Sequence, residues 1–407
     1  MSIMLKALEK IKVIDLTQVM AGPYCCQLLG DYGAEVIKVE PHGGDATRKM
    51  GFFRKGEDAM AFHAVNRNKK SLSLDLKDER GREIFDRLVA EADVVVENFR
   101  PGVAERLSVD YKTLSDKNPR LVYASISGFG QTGPYASRGG YDLIAQAMSG
   151  LMSITGEQGS NPVKAGVPVG DMSAALYSAI GILMALLSRE KTGEGQYVDV
   201  SLLESALSLM VWETAETWGT GEVPQPMGSA HRLAAPYQAL QAADGYFVVG
   251  ASNQGLWHRL AKALDRTDLV DDPRFELNLD RMENLDALVE ELEKTLATNT
   301  AEHWIDMLSE SGVPAGPLYN TQQAVEDPHV IARGMVQEVE HPVEGTVKVL
   351  GVPIKLSSTP GQTEGRAPLL GEHNRELLSH LGYSDVEIDK LETAGVLKSA
   401  AAASVGV

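Results

Sequence analysis

Between residues 164 and 190 the chain reads KAGVPVGDMSAALYSAIGILMALLSRE, and no other stretch constrains the fold as tightly. A loop punctuated by Pro and Gly turns at Gly170 and delivers Asp171 to the start of a long helical pattern. From Met172 to Arg189 the residues are mostly Ala, Leu, Ile and Met. A helix apolar nearly all round belongs in a core, where its first residues are held rigidly. Ser and Gly interrupt it, and it reads as too short for a membrane span. Asp171 then lies at the positive end of the helix macrodipole, where a carboxylate stays ionised. On local sequence alone that placement reads as an N-cap, a far commoner role than nucleophile.

Strands and helices alternate around this helix. Apolar, β-branched runs at 11–16 (IKVIDL), 35–40 (EVIKVE), 70–76, 93–97 (DVVVE), 121–127 (LVYASIS) and 196–200 (QYVDV) read as strands. Helical patterns follow several of them, at 78–92 and 201–218 among others. The expected class is α/β, with an open, mostly parallel, Rossmann-like sheet. Residues 1–200 and 330–407 form this large domain in the sequence reading. A smaller α+β domain is expected over 225–325, from a strand at 245–251 and helices at 254–264, 281–297 and 301–311. Segments 201–224 and 326–329 act as linkers, the first running into a Gly- and Pro-rich crossing. The chain closes with short strands after 335, two helices, and a frayed tail at 400–407.

Charge narrows the possible partners. A formal net charge of −18 argues against nucleic acid. An anionic small molecule needs only a local cluster of cations. Three such clusters occur: Arg67, Lys69 and Lys70 in NRNKKS; Arg100 and Arg106 around FRPG; and Arg138 before Gly139-Gly140. Each falls at a strand end or βα loop, where open α/β sheets bind ligands. Any one cation reads best as solvated surface, but together they suggest a pocket for a multiply charged anion. No GxGxxG follows the first strand, GxxxxGK[ST] is absent, and there is no His-based zinc pattern, so nicotinamide, ATP and metal are not expected. The two cysteines, Cys25 and Cys26, are adjacent, which fits a reducing compartment. With no apolar leader and no evident span, a cytoplasmic protein without a membrane partner is expected.

Seven collinear stretches, IKVIDLTQVMAGP, GAEVIKVE, NRNKKSLSLDLK, VVVENFRPG, SGFGQTGPY, VGDMSAALYSAIG and PLLGEHN, resemble the class III CoA-transferases, the family of formyl-CoA transferase and carnitine CoA-transferase. SGLMSITG, APYQA and DGYFVVGA resemble its succinyl-CoA:dicarboxylate subgroup, which handles glutarate or itaconate. The resemblance implies that Asp171 is the nucleophile, passing through anhydride and aspartyl-CoA thioester intermediates while CoA moves from an acyl-CoA, succinyl-CoA in that subgroup, to a short acid. It implies CoA contacts at Leu74, Asp75, Leu76, Lys77, Asn98, Phe99, Arg100, Arg106, Arg138, Gly139, Gly140 and Tyr141, with Met20 and Ala21 near the thioester. It further implies an interlocked homodimer and no permanently bound cofactor, coenzyme A being part of the substrate.

Departures bear on specificity. Met20 stands where formyl-CoA transferase has Gln, Pro41 where it has Arg, and His231-Arg232-Leu233-Ala234-Ala235 where it has a glycine run. These differences argue against formate and oxalate, and suggest that Arg232, with His231, meets an acceptor's distal carboxylate. The alternative reading is an α-methylacyl-CoA racemase, but Tyr141 stands where that branch has the His it needs as acid or base. A CoA-binding protein without chemistry and an acyl-CoA hydrolase are further readings.

Overall fold

The computed structural model describes residues 6–399 apart from 54, 57 and 364; the tail read at 400–407 lies outside the described residues. In chain order the first elements are β1 (Lys12–Asp15), α1 (Ala21–Asp31), β2 (Glu35–Glu40), α2 (Met60–Val65), β3 (Lys69–Ser73), α3 (Glu79–Glu91), β4 (Val94–Glu97), α4 (Val103–Leu107), α5 (Tyr111–Lys117), β5 (Val122–Ser127), α6 (Asp142–Met148), α7 (Val169–Thr192), β6 (Tyr197–Ser201), α8 (Leu202–Ser208) and α9 (Val211–Thr220). The six strands form one sheet in the order β3-β2-β1-β4-β5-β6, every neighbour parallel. Because side chains alternate along a strand, β4 feeds both faces. Val94 and Val96 pack with α1 and α7 residues, and Val95 packs with Ile84, Leu88 and Leu378 on the other face. Both faces are therefore covered, as a parallel sheet requires. The strand order reverses between β1 and β4, and ligands bind such folds outside the strand ends at that point.

The chain divides into two units, Met1–Leu151 with Lys164–Thr214 and Pro328–Val407, and Met152–Val163 with Ala215–Asp327. This division departs from the sequence expectation of 225–325. Residues 152–163 join the second unit, where Gly228 N–H donates to Gly156 O (2.8 Å). The second unit carries an antiparallel sheet of β7 (Tyr237–Gln241), β8 (Tyr246–Gly250) and β9 (Ala315–Pro317). Helices α10 (Gln254–Ala263), α11 (Asn278–Glu283), α12 (Leu285–Leu296), α13 (Ala301–Glu310) and α14 (Thr321–Glu326) accompany it, around a core that includes Phe247, Trp257 and Leu292. The first unit closes with α15 (Pro328–Ala332), a hairpin of β10 (Val336–His341) and β11 (Gly345–Leu350), α16 (Asn374–His380) and α17 (Asp385–Thr393).

Two expected helices prove to be pairs. The 201–218 pattern breaks at Leu209 and Met210, and the 281–297 pattern breaks at Asn284. Helix α7 also departs from expectation. At 24 residues with a mean hydropathy of 1.6, its length and composition would suit a membrane span. Only one face is buried, through Ala174, Ala175, Ser178, Ile182 and Ala185. That face meets α1, β5, β6 and α8. Gly181 permits the approach of β6, since a Cβ there would fall 2.8 Å from Val198. The opposite face exposes Leu176, Ile180, Leu183, Met184 and Leu187, the last two at 65% each.

Candidate active site

The loop after β1 is held by its neighbours. Asp15 Oδ1 accepts from Thr17 N–H (2.9 Å) and from the Thr17 hydroxyl (2.5 Å). Gln18 N–H donates to Asn98 Oδ1 (2.8 Å), and Asn98 Nδ2 donates back to Gln18 O (2.7 Å). This reciprocal pair ties the β1 loop to the β4 loop across the switch point. Val19 follows with φ +74°, a left-handed conformation that is costly for a β-branched residue and persists only where the surroundings impose it. Its N–H donates to Asp45 Oδ1 (3.3 Å). Lys38 lies beneath, 2.8 Å from Asp45 Oδ2, and donates to Thr17 O (2.8 Å).

The NRNKKS cations belong to this scaffold and line neither ligand cavity described below. Lys69 is buried and donates to Asp15 Oδ2, Pro23 O and Asn66 Oδ1, each at 2.8 Å. Arg67 pairs with Asp31 (2.6 Å), and Lys70 bridges Glu35 and Glu376. Burial raises the Asp15 pKa, but Lys38 and Lys69 outweigh it and hold the group at about 2. The sequence reading of these three as anion ligands is therefore corrected. Lys69 and Lys70 belong to β3 itself and not to the loop before it.

Asp171 is not the N-cap of α7. The helix begins two residues earlier, at Val169, with Pro168 as its cap residue and no capping side chain there. Asp142, the first residue of α6, supplies the acceptor: its Oδ1 takes Gly170 N–H (2.8 Å) and, more weakly, Asp171 N–H (3.4 Å). Gln146 steadies that carboxylate through Asp142 Oδ2 (2.6 Å), while Gln146 Oε1 accepts Ala165 N–H (2.9 Å). The Asp171 carboxylate thus has no capping duty and faces a cavity of about 370 Å³. Burial, reinforced by the like charge of Asp142, raises its pKa to about 6, while the α7 dipole acts in the opposite sense. At neutral pH the group is mainly ionised.

Met20, Ala21, Asn98, Phe99, Arg100, Arg138, Gly139, Gly140 and Tyr141 line this cavity with Asp171. Arg138 lies over the Tyr135 ring (4.0 Å), and Arg100 Nη2 is 3.4 Å from the Tyr141 hydroxyl. Gly128 and Gly140 bring their loops together: a Cβ on Gly128 would fall 2.6 Å from the Gly140 backbone. A second cavity, also about 370 Å³, takes Leu74, Asp75, Leu76 and Lys77, and shares Gln18 and Phe99 with the first. Arg106, exposed on α4, lines neither. His231 and Arg232 lie in the second unit. The His231 ring stacks on Tyr237 (4.8 Å), and Arg232 donates to Gln225 O (2.5 Å), with Glu216 at 3.8 Å. Sequence reasoning missed Gln18 as a cavity residue and Asp142 as the cap, because both roles depend on partners distant along the chain.

An ionisable carboxylate in a half-buried cleft, with two arginines at a Rossmann-type switch point, is the equipment of an enzyme acting on an anionic activated acid. The family is explicit: residues 8–374 match CoA-transferase family III, and the chain belongs to it. It is a CoA-transferase. It is 43% identical to the succinyl-CoA:mesaconate CoA-transferase of Haloarcula hispanica, covering 92% of this chain and 96% of that one. It is 38% identical to the human succinyl-CoA:glutarate CoA-transferase, over 97% and 90% of the two chains. It is also 42% identical to the acetyl-CoA:oxalate CoA-transferase of Acetobacter aceti, over 91% and 94%. Racemisation is not favoured, since these relatives are transferases and position 141 is Tyr.

Proposed function

We propose that the enzyme moves CoA from succinyl-CoA to a second short dicarboxylate, with Asp171 as the covalent carrier. The observation that carries this reading is the release of the Asp171 carboxylate from capping, which Asp142 performs in its place. One Asp171 oxygen attacks the thioester carbonyl; the C–S bond breaks, CoA thiolate departs, and a mixed anhydride joins Asp171 to the succinyl group. The thiolate then attacks the Asp171 carbonyl carbon, expelling succinate and leaving CoA as a thioester on Asp171. The acceptor carboxylate attacks that thioester, and thiolate return to the acceptor's acyl carbon frees Asp171. No proton is consumed, and the acyl activation survives only while water is excluded.

Arg100 and Arg138 are the charge partners of the CoA phosphates, and Phe99 and Gln18 mark the passage to the second cavity. The relatives' names support a dicarboxylate acceptor. Arg232, with His231, is the proposed partner of its distal carboxylate. The exposed apolar face of α7 supports a homodimer, since a run of this kind is otherwise left in water. The reading is tested by assaying metal-free enzyme with succinyl-CoA against oxalate, glutarate, mesaconate, itaconate and monocarboxylates. Transfer to a dicarboxylate is expected; release of thiol without any acceptor would indicate hydrolysis instead.

A further inference from the structure

Asp171 and the two arginines line one cavity, Phe99 and Gln18 are shared with the other, and a CoA bound as proposed above would extend its nucleotide end past them into that second cavity. That second cavity has an apolar wall, from Leu16, Val39, Leu74 and Leu76, suited to a purine ring. His42 and Lys77 stand at its edge. The carboxylates there are already engaged. Asp75 Oδ1 accepts Lys77 N–H (2.9 Å), and Glu40 is held by Arg48 through both oxygens (2.8 Å each).

The end of the described chain is fastened to this rim. Asp75 N–H donates to Val396 O (3.0 Å), and Leu397 forms a β-bridge with Leu74. His42 Nε2 donates to Val396 O (3.2 Å), and Lys398 Nζ donates to His42 O (3.2 Å). With Nε2 engaged by Val396 O, Nδ1 is the ring nitrogen left to meet a ligand, and it donates to an anion in the imidazolium form. His42 and Lys77 line the cavity and Lys398 is hydrogen-bonded to His42; basic side chains so placed, in a chain of net charge −18, mark a place for an anion. Resting on the CoA reading above, we propose that Lys398 of the C-terminal segment, with His42 and Lys77, receives the ribose 3′-phosphate of CoA. The segment 396–398 is then a wall of the substrate site as well as a cover for the core.

The test compares free CoA with 3′-dephospho-CoA, by calorimetric titration of the full-length protein and its Lys398→Ala variant. An exposed lysine paired with a phosphate contributes about a fivefold change in Kd. Lys398→Ala is expected to weaken CoA by about that factor, to leave dephospho-CoA within about twofold, and to be largely rescued by Lys398→Arg. Equal weakening of both ligands, or of neither, overturns the assignment while leaving CoA transfer intact. Failure of the unaltered protein to bind either ligand would overturn the CoA reading as well.

Discussion

Asp142 caps the helix that carries Asp171, its Oδ1 lying 2.8 Å from Gly170 N and 3.4 Å from Asp171 N. One carboxylate thereby satisfies the helix terminus, and the other is left to the cavity. Their proximity has a second effect, because the charge of Asp142 adds to burial in raising the Asp171 pKa.

The pH dependence of transfer follows. Asp171 must be ionised to attack, and its pKa in the folded protein is about 6. kcat/KM for succinyl-CoA should rise with pH, be half-maximal near pH 6, and fall about tenfold for each pH unit below. Asp142→Asn keeps an acceptor for the Gly170 N–H and removes the like charge, so the midpoint should move to lower pH. A midpoint unmoved by that change would assign the shift to burial alone.

Stability should show the same group with the opposite sign. The folded pKa of Asp171 lies above its ordinary value of 3.8, so ionisation is disfavoured in the folded state. The penalty is absent below pH 4, develops as pH rises through about 6, and is complete above it. Asp171→Asn should therefore stabilise the protein by about 1–2 kcal/mol at pH 7.5, after allowance for partial exposure, and by little at pH 4. Denaturant titration at the two pH values reads the difference.

The cations should separate into two classes. Arg100→Ala and Arg138→Ala are each expected to raise KM for succinyl-CoA about tenfold with little change in thermal midpoint. Lys69→Met leaves Asp15 buried with one of its cations removed and should cost about 3–5 kcal/mol of stability. If Lys69→Met folded normally and lost only CoA affinity, the structural assignment of NRNKKS would be wrong.

Much of this was legible in the chain. β-branched runs announced β1, β2, β4 and β5 to within a residue or two, and the apolar pattern placed Asp171 at a helix start. Helix α7 misled because an all-round apolar surface reads alike whether it meets a core or a partner, and only packing shows Leu183 and Met184 exposed. The capping role of Asp142 was illegible for another reason: the hydrogen bond spans 28 residues, and no local motif encodes it. Lys69 was misread because a strand-end lysine looks the same in sequence whether it faces solvent or, as here, a buried aspartate.

If Asp171 carries CoA, the thioester itself can be caught by mass spectrometry of the enzyme quenched during turnover with succinyl-CoA. A CoA adduct is expected on the peptide holding Asp171, removed by added succinate and absent from Asp171→Ala. Near-normal turnover by Asp171→Ala, or turnover with the adduct on a different peptide, would contradict it.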